Sequence, residues 1–153
     1  MIHFTTLGDD ILEVRVSLPA GPERVYRAWT EASELIKWFR GSHEGHLEIH
    51  EFDCRDGGGY DLTMVNPNGD RFHLAGTYLK LEPSRRIEMT WTWKFDGETT
   101  PPSTVSLDLQ PLGEGTLLII RHEKFMSADD RDNHQSGWEP CLQNLEAYLG
   151  GAV

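Results

Sequence analysis

Cysteine is scarce: the 153 residues hold only Cys54 and Cys141. They form no C-x-x-C pair and are too few for a disulfide framework. Two free thiols in a reducing cytoplasm are expected. Positive charge is scarce too, with 14 Lys and Arg against 25 Asp and Glu, a net charge of −11. Such a surface repels phosphate backbones and anionic lipid, which argues against nucleic acid as a partner. No apolar run approaches the roughly 20 residues that cross a bilayer, so no membrane span is expected. The opening "MIHFTTLGDD" has neither a basic segment nor a long apolar one, so no secretory leader is read there. Repeats, low-complexity tracts and linkers are missing, which predicts one domain over 1–153.

Several chemistries lack their motifs. There is no G-x-S-x-G nucleophile elbow. "DGGGY" (56–60) joins two strands instead of opening a helix, so it reads as a tight turn and not as a phosphate loop. "SADDRD" lacks the bidentate Glu of a calcium loop and reads as a helix start.

What is present is a clear change of period along the chain. "ILEVRVSL" (11–18) alternates, with Leu12, Val14, Val16 and Leu18 on one face, as in a strand with one wet side. "AGPERVYRAWT" then reads as a helix, with Pro22 at its first position and Val25, Ala28 and Trp29 as its apolar stripe. "SELIKWF" repeats the pattern with Leu35, Trp38 and Phe39. From residue 46 onward the chain reads as six strands joined by short turns, among them Asn68-Gly69 and "DGETTPP". Short turns force antiparallel pairing. In "RIEMTWTWKF" the residues Ile87, Met89, Trp91, Trp93 and Phe95 share one face, and that apolar face needs a cover.

The cover is the C-terminal segment. Ser127 and Asp130 resemble a capping box for a helix over 128–149. Its inner stripe is His134, Trp138, Cys141, Leu142, Leu145, Tyr148 and Leu149. Pro140 predicts a bend near Gly137, or a restart of the helix there. The expected fold class is therefore α+β, with a seven-stranded antiparallel sheet, two short helices after the first strand, and a long C-terminal helix.

Five pieces in this order resemble a known family: "ERVYRAWTEASELIKWF" (23–39), "DCRDGGGYDLTM" (53–64), "GTYLKLEPSRRIEMTWTW" (76–93), "GTLLIIRHEKF" (115–125) and "HQSGWEPCLQNLEAYL" (134–149). The chain resembles the helix-grip (SRPBCC) superfamily of START lipid-transfer domains, birch-pollen allergens and aromatic polyketide cyclases. Within it, the chain is most similar to the branch related to the activator of the heat-shock-protein-90 ATPase. The resemblance implies a curved sheet gripping the terminal helix, usually with a hydrophobic cavity between them. It also carries the D-x-R-x-G-G turn, in which Asp53 and Arg55 are read as structural. Function varies across the superfamily, so the fold alone is a weak warrant.

Candidate cavity residues are Trp38, Tyr60, Met64, Phe72, Trp91, Trp93, His122, His134, Trp138 and Leu142. Each aromatic can equally be plain core. Together they offer apolar walls with polar tips, which suit a small ligand. His122 alternates inward with Leu118 and Ile120, and His134 lies one helical turn before Trp138. Either is an acid, base or anchor, or a core histidine with satisfied nitrogens. Glu123 and Asp108 fall on the opposite strand face from His122, which counts against a His-carboxylate pair, so no catalytic residue is assigned. His43, His46 and His50 lie close in sequence, but no Cys, Asp or Glu follows at a familiar ligand spacing, so no metal is assigned. No cofactor is implied.

The first expectation is binding of an apolar or aromatic small molecule. The alternatives are a cyclase- or hydrolase-like enzyme using the same cavity and a co-chaperone-like interaction module. The chain reads as a lone domain, which places chaperone interaction third. A homodimer through edge strands such as 11–18 or 46–52 is left open.

Overall fold

The computed structural model describes residues 2–151. The domain expected over 1–153 extends past both ends of that range, and residues 1, 152 and 153 lie outside the described residues. In chain order, two strands come first, β1 (Ile2–Thr6) and β2 (Ile11–Leu18), then two helices, α1 (Pro22–Thr30) and α2 (Ala32–Leu35). Seven strands follow: β3 (His46–Phe52), β4 (Gly59–Val65), β5 (Arg71–Glu82), β6 (Arg86–Phe95), β7 (Glu98–Thr99), β8 (Ser103–Leu112) and β9 (Gly115–Glu123). The chain closes with α3 (Ala128–Leu149).

The strands form one antiparallel sheet in the order β1-β2-β9-β8-β6-β5-β4-β3, with β7 pairing β6. This is the α+β helix-grip architecture. Among the described residues it has nine strands where seven were expected. The two extra strands are the short ones. β7 arises because Asp96 and Gly97 both take positive φ (47° and 81°), the geometry of a two-residue hairpin, and Phe95 pairs with Glu98. β1 is folded back by the turn at Gly8 (φ 93°), which sets Phe4 against Val14. It follows that 11–18 is not an edge: β2 lies between β1 and β9, and the edges are β1 and β3.

The buried side chains form one apolar cluster between the sheet, α1, α2 and α3. From β2, Leu12, Val14, Val16 and Leu18 are all inside, as their alternation requires. α3 begins as a capped helix: Ser127 Oγ accepts from Asp130 N (3.1 Å), and Asp130 Oδ2 accepts from Met126 N (3.1 Å). It then runs unbroken for 22 residues through Gly137 and Pro140, so the alternative of a restart there does not hold. At about 1.5 Å per residue it is about 33 Å long.

The far end of α3 is tied to the rest of the fold by polar contacts. Tyr148 Oη donates to Glu34 Oε1 (2.8 Å), which also takes Arg24 Nη1 (2.6 Å). Asn144 Nδ2 donates to Ser42 O (2.8 Å). Asp53 holds Arg55 Nε through both oxygens (2.9 and 2.8 Å), inside the turn that leads into β4.

Candidate functional site

A cavity of about 460 Å³ opens between the sheet and the N-terminal half of α3. The sheet supplies Met64 on β4, Phe72 on β5, and Trp91, Trp93 and Phe95 on β6. Cross-strand register explains the grouping. Met64 lies opposite Phe72, and Leu74, two residues on, lies opposite Trp93. α3 supplies His134, Trp138 and Cys141, one or two turns apart on a single side, with Asn133, Ser136 and Gly137 beside them. Phe39, which follows α2, closes the inner end together with Trp91, their ring centroids 6.1 Å apart. Phe72 and Phe95 stand at the rim, 40% and 55% exposed.

Six of the ten expected residues meet in this wall: Met64, Phe72, Trp91, Trp93, His134 and Trp138. The other four lie elsewhere, each for a packing reason. Trp38 is sealed between Trp29 and Phe39, and its indole donates to Ala28 O (3.0 Å). Leu142 is one turn past Trp138 and wholly buried in the core. Tyr60 points its hydroxyl at Thr90 O (2.6 Å), between β4 and β6, where burial pushes the phenol far above its ordinary range. Gly76 makes room for that bond: a Cβ there would sit 2.1 Å from Thr90 O and 2.7 Å from Tyr60 Oη.

His122 sits behind the wall, fully buried, and supports it. Trp138 Nε1 donates to His122 Nδ1 (3.1 Å), which fixes the tautomer with its hydrogen on Nε2. That nitrogen meets Ser103 Oγ (2.8 Å), and the Ser103 hydroxyl donates onward to Trp91 O (3.2 Å). Every lone pair and hydrogen of the imidazole is thus in use. Burial first, and His134 second, hold its pKa well below the ordinary value. His134 repeats the arrangement one layer out: Trp93 Nε1 donates to its Nε2 (2.8 Å), and its Nδ1 donates to Asp130 O (2.8 Å). Each histidine therefore accepts from one cavity tryptophan and fixes that ring's orientation. Trp91 differs, since its buried indole nitrogen has no hydrogen-bond partner among the described residues.

The residues that the sequence reading did not single out for this wall had partial signals. Cys141 was on the helix stripe, Phe95 on the tryptophan face of its strand, and Phe39 on the second short stripe. Asn133, Ser136 and Gly137 carry no apolar signal at all. Both cysteines are free, and burial pushes the Cys141 thiol up to about 12. His43, His46 and His50 do not converge: His43 meets Asn144 (3.0 Å), His46 lies beside Glu48 (3.7 Å), and His50 turns to β4.

Residues 19–150 match the family described as activator of Hsp90 ATPase homolog 1-like protein. The chain belongs to this family. The match spans the helices, the gripping sheet and α3, leaving out β1 and β2. No curated protein matches. Solved structures do. A Chromobacterium violaceum protein is 29% identical, with a TM-score of 0.79 over 92% of this chain and 96% of its own. The AHSA1 protein of Silicibacter pomeroyi is 24% identical, with a TM-score of 0.80 over 94% and 99%. A Rhodobacter sphaeroides protein is 23% identical, with a TM-score of 0.82 over 98% of both chains. These likenesses concern the fold. No helix among the described residues is long and apolar enough to cross a membrane.

Proposed function

We propose that this single-domain family member binds an apolar or aromatic small molecule in the cavity between its sheet and α3. The observation that carries the reading is a cavity of about 460 Å³ walled largely by aromatic rings. That volume falls within the range of sites for drug-sized ligands. Two of its tryptophans, Trp93 and Trp138, have orientations set by one half-buried and one buried histidine, so the wall is organised before any guest arrives. Two free thiols suit a reducing, cytoplasmic setting.

The enzyme alternative has less to rest on. In the resting geometry both nitrogens of His122 and of His134 are already engaged, leaving neither ring free to take or give a proton. A co-chaperone role draws only on the family description.

Trp93→Ala tests the reading. Fluorescence titration with an apolar naphthalene dye should lose about tenfold or more in affinity, the share expected of a wall aromatic. Stability should fall by less than the roughly 3–5 kcal/mol typical of a fully buried Trp. A folded Trp93→Ala protein that binds the dye as tightly as the wild type would sink the proposal.

A further inference from the structure

The opposite face of the same sheet carries a second constellation. Ligand atoms of His50 on β3, Asp61 on β4 and His73 on β5 all lie within 4.8 Å of one another. We propose that these three side chains bind a borderline divalent transition-metal cation such as zinc.

The placement follows from the pairing. Leu62 and Met64 face the core, so Asp61 and Thr63 face outward. His73 lies opposite Thr63, and so stands diagonally across from Asp61. On β3, Leu47 and Ile49 pack against the core, so alternation turns His50 to the same outer face. A bulge follows: Ile49 pairs with Leu62 and Glu51 with Asp61, which leaves His50 as the extra residue beside Asp61. The ring is then held by Thr63 Oγ1, 2.8 Å from His50 Nε2. His73 Nε2 is already drawn onto Asp61 Oδ1, and the two imidazole centroids are 5.7 Å apart.

The donor set selects the ion class. Two imidazoles and one carboxylate suit zinc, cobalt, nickel or copper, with solvent filling a remaining position. Calcium and magnesium, which prefer all-oxygen shells, are disfavoured. Zinc bonds of about 2.0–2.1 Å place tetrahedral ligand atoms about 3.3 Å apart, so small side-chain rotations close the site. The three ligands come from adjacent, hydrogen-bonded strands, so the backbone does not have to reorganise. One group opposes the ion: Lys94 Nζ lies 3.3 Å from Asp61 Oδ2. Its charge weakens binding, which gives the proposal a signed prediction of its own.

The test is calorimetric titration of the full chain with zinc chloride at neutral pH, with far-UV circular dichroism on every variant. One zinc per chain is expected. His50→Ala and His73→Ala should each weaken binding by about tenfold or more, and Lys94→Gln should tighten it several-fold. His73→Gln serves if His73→Ala fails to fold. Cobalt(II) in place of zinc should give a visible absorption band that Asp61→Asn removes. Dye binding in the cavity should not change with zinc, because the two sites face opposite sides of the sheet. The proposal is overturned if the wild type binds no zinc below about millimolar concentration, or if the folded His50→Ala/His73→Ala protein binds it equally well. Either result would leave these residues as a surface ion-pair network.

Discussion

The two halves of α3 do different work on one continuous helix. Its C-terminal half places Leu142 and Leu145 against the sheet with no space left, and Tyr148 and Asn144 tie it to Glu34 and Ser42. Its N-terminal half borders the cavity, with His134, Gly137 and Trp138 in the wall. One half packs solidly, and the other meets the sheet through Trp138–His122 and His134–Trp93 hydrogen bonds beside the open volume. The difference shows that side-chain size alone does not make a core. Trp138 is larger than Leu142 and nearly as buried, yet one edge of it borders the open volume, with its ring steered by His122.

Three substitutions sharpen the contrast. Leu142→Ala should cost about 2–5 kcal/mol in chemical denaturation, the range for a leucine removed from a tight core. Dye affinity of the folded fraction should be unchanged. A large loss of affinity would mean that the two halves are not separable.

The second concerns the support behind the cavity. Unfolded His122 takes a proton near the ordinary pKa of about 6.5, whereas the folded chain resists it. Stability is therefore full above that pH and declines as pH falls below it, by up to about 1.4 kcal/mol per pH unit from this one group. His122→Gln can still accept from Trp138 and donate to Ser103, and it cannot titrate. Urea midpoints measured between pH 5 and 7 should slope less steeply in the variant. Equal slopes would remove His122 as the cause.

The smallest effect carries the opposite sign. A Cβ built on Gly137 meets nothing within 4 Å, and the residue is mid-helix. Gly137→Ala should raise stability by about 0.5–1 kcal/mol. Because Gly137 lines the cavity, the new methyl should also shift dye affinity. A stabilised protein with unaltered affinity would place the bound dye away from this part of the helix.

Much of this contrast was legible in the sequence. Alternation put Trp91 and Trp93 on one face, and helical spacing put His134 and Trp138 on another. Periodicity reports which way a side chain faces. It does not report whether the space it faces is filled, so Trp38, Tyr60 and Leu142 looked the same as true wall residues. The tautomers of His122 and His134 depend on partners from other elements, which no local pattern encodes. β1 was missed because five residues with two apolar positions give too short a pattern to stand out. The outer-face cluster was hidden because its members are spread over three strands and meet only through the pairing of those strands.

Gly76 is hemmed in by main chain before side chain: a Cβ there would meet Thr90 O at 2.1 Å, and Tyr60 Cε1 and Oη at 2.7 Å. Phenylalanine at 60 would remove only the hydroxyl and leave the strand oxygen and the ring edge in place. Glycine at 76 is therefore expected to persist whatever aromatic stands at 60, and Gly76→Ala should cost as much in a Tyr60→Phe background as in the wild type.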